Sequence, residues 1–509
     1  MSLPLRRLGL ISVCLLALIV QTSVQAACRT GEALTLLHFN DFHGQLAPDS
    51  DSDSGPEPGI PPGGLARLAT LVAGVRAEDP ERPVVLLFAG DLLQGTMTSS
   101  LFLGIPDVTL FDRIGVDAAV MGNHEFDYGQ GVFRRLAGLA RFPFLSANVQ
   151  THPEPLPVRP SLILARPGGP TVALLGLTTP ELTTGTHPRN ALGVSVEDPV
   201  SVARRLVPSL REQADLVVVL SHLGLAEDRR LAEAVPGIDL IVGGHNHHVL
   251  DQPVMAGGVP ILQAGDRGRW LGRMDLACQN GQMQRTAYRL LPVDASIAED
   301  PEIAAEVTRI VAEAEAGLAD QVGVTDVELS ARREDIRRGE AVFGNLLADL
   351  AREVTQADVA LFNAGGFRAT IPRGPVTLKQ VYQAFPFRNE LVVGQLTGAQ
   401  IIDALEHSAA LDPEDNPGGF LQVSGLRYVI AGRRLDSATL NTGVIDPEQV
   451  YRVVMSDFLA AGGDGYAVFT QMTAPEMTGR LISDLLIDTF RQGQIIAPRL
   501  DGRIRRQPF

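Results

Sequence analysis

Short aliphatic runs, most of them closing on glycine or serine and then a polar cluster, set the rhythm of the first half of the chain. Residues 34–40 form one such run, followed by Asp41-Phe42-His43-Gly44. Residues 83–89 end in Gly90-Asp91, and residues 117–121 in Gly122-Asn123-His124-Glu125-Phe126-Asp127. Residues 172–177 make a further run without a clear ligand. Residues 215–220 end in Ser221-His222, and residues 238–242 in Gly243-Gly244-His245-Asn246-His247-His248. A continuous apolar run of this length reads as a strand buried on both faces. Between the runs, residues 64–75, 130–141 and 200–213 carry apolar side chains three to four apart, which predicts amphipathic helices. Strands alternating with helices predict a layered α/β domain.

The polar clusters share one position: each follows the carboxyl end of a strand, the edge where open α/β sheets bind ligands. One cluster alone reads most simply as a capped turn. Five such ends together carry His43, His124, His222, His245 and His247, half of the ten histidines, which scattered structural histidines would not do. Residues i and i+2 of an extended segment face the same way, so Asp41 and His43 can approach one ion. Asp41, His43, Asp91, Asn123, His222, His245 and His247 form a set of oxygen and imidazole donors without thiolate. Such a set suits Zn²⁺, Mn²⁺, Co²⁺ or Fe²⁺. Seven donors exceed one tetrahedral ion and fit two, which a bridging carboxylate holds roughly 3.5–4 Å apart.

From residue 298 the pattern becomes a charged, alanine-rich amphipathic helix opened by Glu299-Asp300-Pro301, of the kind that joins domains. Beyond it come glycine-rich turns, shorter strands and scarce aromatics. The expected organisation is a leader at 1–26, a first domain at 27–297, a linker helix at 298–322 and a second domain at 323–509. In that second domain Asn363-Ala364-Gly365-Gly366-Phe367-Arg368 follows an apolar run. Its glycines admit a close backbone approach, and Arg368 brings a fork that suits phosphate, although a plain strand-turn has the same outline.

Composition narrows the setting. A chain of 509 residues exceeds one ordinary core, so two domains are expected. Its formal net charge of −16 excludes nucleic acid as a surface-bound partner and leaves small anions held by local cations. Arg6 and Arg7, the apolar residues 8–20 and Val24-Gln25-Ala26 have the layout of a secretory leader, too short for a membrane span. Periplasmic or secreted placement without a stable membrane anchor follows as an expectation. Of three cysteines, Cys14 leaves with the leader. Cys28 and Cys278 remain, and an oxidising compartment points to a disulfide, the alternative being two separate buried thiols. Residues 48–64, rich in Asp, Ser, Pro and Gly, read as an acidic loop.

The ordered set D-x-H, G-D, G-N-H-E-F-D, S-H and G-G-H-x-H resembles the calcineurin-like metallophosphoesterases, and more narrowly the secreted 5′-nucleotidase and UDP-sugar hydrolase family. The resemblance covers nearly the whole mature chain. It implies a layered β-sandwich flanked by helices, joined to a second α/β substrate-binding domain. It also implies two divalent ions, one on Asp41, His43, Asp91 and His247 and the other on Asp91, Asn123, His222 and His245. His124, paired with Asp127, then stands beside the scissile phosphate rather than on a metal, and His248 is a bystander. In the second domain the resemblance places Arg333, Arg337 and Arg368 on phosphate, with Asn363 and Gly366 in a signature that departs from the family at Ala364 and Phe367. Phe387 and Phe458 sandwich a nucleobase, Asp464 holds ribose hydroxyls and Asn389 stands near the base, while Arg388 replaces a common glycine. The implied activity is nucleotide dephosphorylation by in-line attack, with the second domain pivoting near the linker helix. Alternatives are a 2′,3′-cyclic phosphodiesterase with 3′-nucleotidase activity, a thiosulfate-ester hydrolase and a nucleotide-binding protein without catalysis.

Overall fold

The computed structural model describes residues 28–49, 61–387, 389–415, 417–493 and 495–507. The expected leader, most of the acidic loop and Arg388 lie outside the described residues.

Two six-stranded sheets pack face to face in the first domain. In the first sheet Ala33–Phe39, Val84–Phe88, Ala118–Val120 and Phe144–Leu145 run parallel, with the hairpin Trp270–Gln279 and Gln282–Pro292 at one edge. In the second, Thr171–Thr178, Leu216–His222, Leu240–Val242 and Val259–Leu262 run parallel between two antiparallel edge strands. Alternate side chains explain the unbroken apolar runs. Leu34, Leu36, Val85 and Leu87 meet Leu174, Val218, Leu220 and Val242 between the sheets. Their neighbours Leu37, Phe39, Leu86 and Phe88 face helices Leu65–Glu78 and Ile105–Ile114. Ala173, Leu175, Val217 and Val219 face Pro199–Arg211 and Leu225–Ala234. Each strand is thus buried twice, and polar residues are left to the ends.

The second domain is built on a five-stranded mixed sheet in the order Leu421–Ser424, Val359–Asn363, Val450–Ser456, Glu390–Thr397, Thr473–Leu481. Helices Val342–Thr355, Gly398–Ala410 and Ile482–Arg491 share its core.

The helix expected over 298–322 is shorter and more firmly attached than its charge pattern suggests. It spans Pro301–Glu315, with proline in its first turn and the Asp300 carboxylate accepting from Glu302 N and Ile303 N. Ile303, Val307 and Ile310 are buried in the first domain's core, so the helix is a layer of that domain rather than a free strut. The chain leaves it through a mostly exposed stretch containing Gly317 at φ +85° and enters the strand Gln321–Thr325. Cys28 and Cys278 are joined, tying the start of the described chain to the edge hairpin. No helix among the described residues is long and apolar enough to cross a membrane.

Candidate active site

Parallel order in both sheets brings the strand ends, and the polar clusters that follow them, to one edge. Three groups of donor atoms form there, each within 4.8 Å: Asp41, His43 and His247; Asp91, His222 and His245; and His43, Asp91 and His124. His247 Nε2 lies 3.3 Å from Asp41 Oδ1 and 3.2 Å from His43 Nε2. His222 Nε2 lies 3.1 Å from Asp91 Oδ2. Asn123 Oδ1 is buried beside them and receives no hydrogen bond from the protein. A buried amide oxygen left without a donor costs free energy unless a cation takes it, so this donor set fits divalent metal.

Backbone strain concentrates in the same place. Asp41, His43, Asp91, His245 and His247 all have φ between +50° and +82°. Non-glycine residues pay of order 1 kcal/mol or more for that region, and they persist in it where function holds them. Gln94, at φ +68°, belongs to the group, because its carbonyl accepts from His43 Nδ1 at 2.9 Å.

The remaining ring nitrogens are held from behind. His222 Nδ1 donates to Ala89 O at 2.7 Å, His247 Nδ1 lies 3.0 Å from Asp266 Oδ2, and His245 Nε2 lies 3.0 Å from Glu181 Oε2. Asn40 donates to Asp41 Oδ2 at 2.6 Å. Asn40, Glu181 and Asp266 were not singled out in the sequence. Two of them carry a positional sign there: Asn40 closes the first apolar run, and Glu181 follows the end of the strand Thr171–Thr178, the run that lacked a ligand. Glu125 is structural: it accepts from Leu92 N and Gly122 N, each at 2.7 Å, and so ties two of the turns together.

His124 Nδ1 sits 2.5 Å from Asp127 Oδ2, which leaves Nε2 as the nitrogen for chemistry in the cleft. Burial works against its charged form, but Asp127 and Asp91 outweigh burial and hold its pKa above the ordinary histidine value. Burial likewise opposes the Asp91 carboxylate, yet His222 and His124 hold it well below the usual carboxylate range.

Across the cleft the second domain presents a cluster of cations. Arg333 Nη2 lies 3.0 Å from His247 Nδ1 and 3.3 Å from Nε2, two distances that place it over the ring face. Arg337 is pushed well below the ordinary arginine pKa by burial and then by Arg333 and Arg368. Arg368 is pushed down to about 10 by burial and then by Arg333, and it stands 5.9 Å above the Phe387 ring. Mutually repelling guanidinium groups lining a cleft are a receptor for an anion.

Farther out, the Phe458 ring crosses Gly463, where an added Cβ would stand 2.4 Å from Cζ. Asp464 Oδ2 accepts from Asn363 Nδ2 at 2.7 Å, and burial pushes its carboxyl up to about 6. Asn389 donates to Asp457 Oδ1 at 2.7 Å. One cleft of about 1090 Å³ is lined by Asp91, Asn123, His124, Asp127, His245 and His247 from the first domain. From the second it is lined by Arg333, Arg337, Asn363, Gly366, Arg368, Phe387, Asn389, Phe458 and Asp464. Asp41 and His222 lie buried behind this lining. His43 opens instead on a neighbouring cavity, as does His248, whose backbone N donates to Gln263 Oε1.

Comparison with known proteins defines the class first. The calcineurin-like phosphoesterase family matches residues 34–249, and the 5′-nucleotidase C-terminal domain family matches residues 321–471. The snake venom 5′-nucleotidase of Naja atra is 30% identical over 92% of this chain and 98% of its own. A 5′-nucleotidase precursor structure from Thermus thermophilus superposes with a TM-score of 0.84 at 33% identity, covering 94% of this chain and 100% of that one. The trifunctional nucleotide phosphoesterase protein YfkN of Bacillus subtilis is 32% identical over 93% of this chain, which spans 35% of that longer protein. The chain belongs to the 5′-nucleotidase family of metallophosphoesterases and is a phosphoric-monoester hydrolase.

Gly122 shows how tightly the turns are packed. A Cβ there would stand 2.2 Å from Asp91 Oδ1 and 2.7 Å from Asp91 N. Gly122→Ala is expected to displace Asp91 and lower phosphatase kcat about a hundredfold, at a stability cost of about 1–3 kcal/mol. Steady-state kinetics beside a thermal melt will separate the two effects.

Proposed function

We propose that the chain removes phosphate from 5′-nucleotides with two divalent ions, outside the cytoplasm. The observation that carries this reading is the single cleft with donor atoms at one end, aromatic rings at the other and three arginines between. Its order is that of a nucleotide: phosphate, ribose, base.

Asp41, His43, Asp91 and His247 would hold one ion, and Asp91, Asn123, His222 and His245 the other, with Asp91 shared. Divalent ions there supply positive charge to the phosphoryl oxygens and lower the pKa of water. Arg333, Arg337 and Arg368 orient the phosphate and spread its charge. His124, steered through Nδ1 by Asp127, holds a proton at Nε2 for the departing ribose oxygen. Phe387 and Phe458 clamp the base, and Asp464 with Asn363 takes the ribose hydroxyls. Stacking tolerates every base, so a broad nucleobase range follows, and UDP-sugar hydrolysis is compatible with the same cleft. The Cys28–Cys278 disulfide and the leader-like first residues support export to the periplasm or beyond.

Phe387→Ala and Phe458→Ala test the base clamp. Each is expected to raise KM for AMP about tenfold to a hundredfold and to leave p-nitrophenyl phosphate hydrolysis within twofold of the parent. Equal losses on both substrates, or none on AMP, would place the base elsewhere.

A further inference from the structure

A contact between the two domains lies beside the base clamp and takes no part in the chemistry described above. His187 belongs to the first domain, in the segment that follows the strand Thr171–Thr178 and that also carries Glu181. Its Nδ1 accepts from Arg189 N at 3.2 Å. In a neutral imidazole that acceptor role puts the ring proton on Nε2. Nε2 in turn lies 3.5 Å from Oδ2 of Asp457, in the second domain. The other carboxylate oxygen of Asp457 is fully engaged with the clamp. Oδ1 accepts from Asn389 Nδ2 at 2.7 Å and from Phe458 N at 2.9 Å. Asp457 therefore stands between the two segments that carry the aromatic rings: Asn389 lies two residues beyond Phe387, and Phe458 is the next residue in the chain. His187 and Asp457 are 16% and 8% exposed, a setting in which a close polar contact counts for more than it does on an open surface. Burial raises the Asp457 carboxyl, yet His187 and Asn389 together hold it below the ordinary carboxylate value.

We propose that His187 is a positioning residue that fixes the nucleobase clamp from the opposite domain, through Asp457 to Asn389 and Phe458, and thereby sets affinity for the base-bearing part of the substrate. The inference rests on the nucleotide reading of the cleft. The same contact lies across the domain boundary, so it draws the base site and the phosphate site into one register when it forms. The polar contacts of His187 are with Arg189 N and Asp457 rather than with the donor groups or the three arginines, which gives the contact a kinetic signature of its own.

The test compares AMP with p-nitrophenyl phosphate, which has no purine and no ribose. In metal-loaded full-length protein, His187→Ala is expected to raise KM for AMP about tenfold, with kcat and the p-nitrophenyl phosphate kinetics within twofold of the parent. His187→Gln, which keeps an N–H donor at a similar reach, is expected to recover most of the AMP affinity. In an Asp457→Asn background, His187→Ala should have a smaller effect on KM than it has alone. A thermal melt of each variant identifies any that fail to fold. The proposal is overturned if His187→Ala leaves KM for AMP unchanged, if both substrates decline together, or if glutamine recovers nothing. The clamp variants keep the two readings apart. If Phe387→Ala and Phe458→Ala raise KM and His187→Ala does not, this inference alone fails. If none of the three raises it, the nucleotide reading fails first.

Discussion

Asp91→Asn is expected to lower kcat about a thousandfold or more and to reduce bound divalent metal, while the protein stays folded. Asparagine preserves the shape of the side chain and can still accept from His124 N, which lies 3.0 Å from Asp91 Oδ1. What it removes is a fully buried negative charge that lies 3.1 Å from His222 Nε2 and shares donor groups with His43, His124, His222 and His245. Asp91 is the one carboxylate common to two of the three groups, so its loss weakens both halves of the centre at once. The check is metal content per chain after dialysis, measured beside kcat and a thermal melt. Unchanged metal stoichiometry would show that Asp91 is not shared between two ions.

His124→Asn separates proton transfer from metal binding. The variant is expected to lose about 10²- to 10⁴-fold in kcat on AMP, the range for a positioned acid, and to keep the metal content of the parent. Its geometry argues for this division: Nδ1 is committed to Asp127 at 2.5 Å, and Thr186 in turn donates to Asp127 Oδ1 at 3.2 Å. The imidazole is thus fixed from behind and presents one nitrogen. A leaving group that needs no proton should feel the loss less, so p-nitrophenyl phosphate hydrolysis is expected to fall only about tenfold. Loss of metal in this variant would assign His124 to the ligand set instead.

Much of the fold and most of the candidate site could be read from the chain, for a shared physical reason. Parallel strands buried on both faces must be apolar throughout, so their ends stand out as abrupt changes to polar residues, and those ends are where the donors are. Glu181 and Asp266 escaped because each contacts its histidine only through tertiary folding: Glu181 is 64 residues from His245, and Asp266 is 19 from His247. The positional rule that singled out His43 and His222 applies to Glu181 as well, since it follows the end of Thr171–Thr178. His187 left no such sign, because its partner Asp457 belongs to the other domain. The helix Pro301–Glu315 shows a different limit. An amphipathic stripe announces that something covers it and is silent on what, and here the cover is the first domain's own core. The five strained donors could not have been foreseen from propensity, since aspartate and histidine in the left-handed region reflect the site they build.

The most direct measurement supplies AMP, 3′-AMP, 2′,3′-cyclic AMP, ATP and UDP-glucose separately to purified, metal-loaded protein and follows phosphate and nucleoside over time. Fast release of phosphate and adenosine from AMP, with little from the 3′ and cyclic substrates, is the predicted result. Preference for the cyclic and 3′ substrates, or no turnover of any despite bound metal, would contradict it.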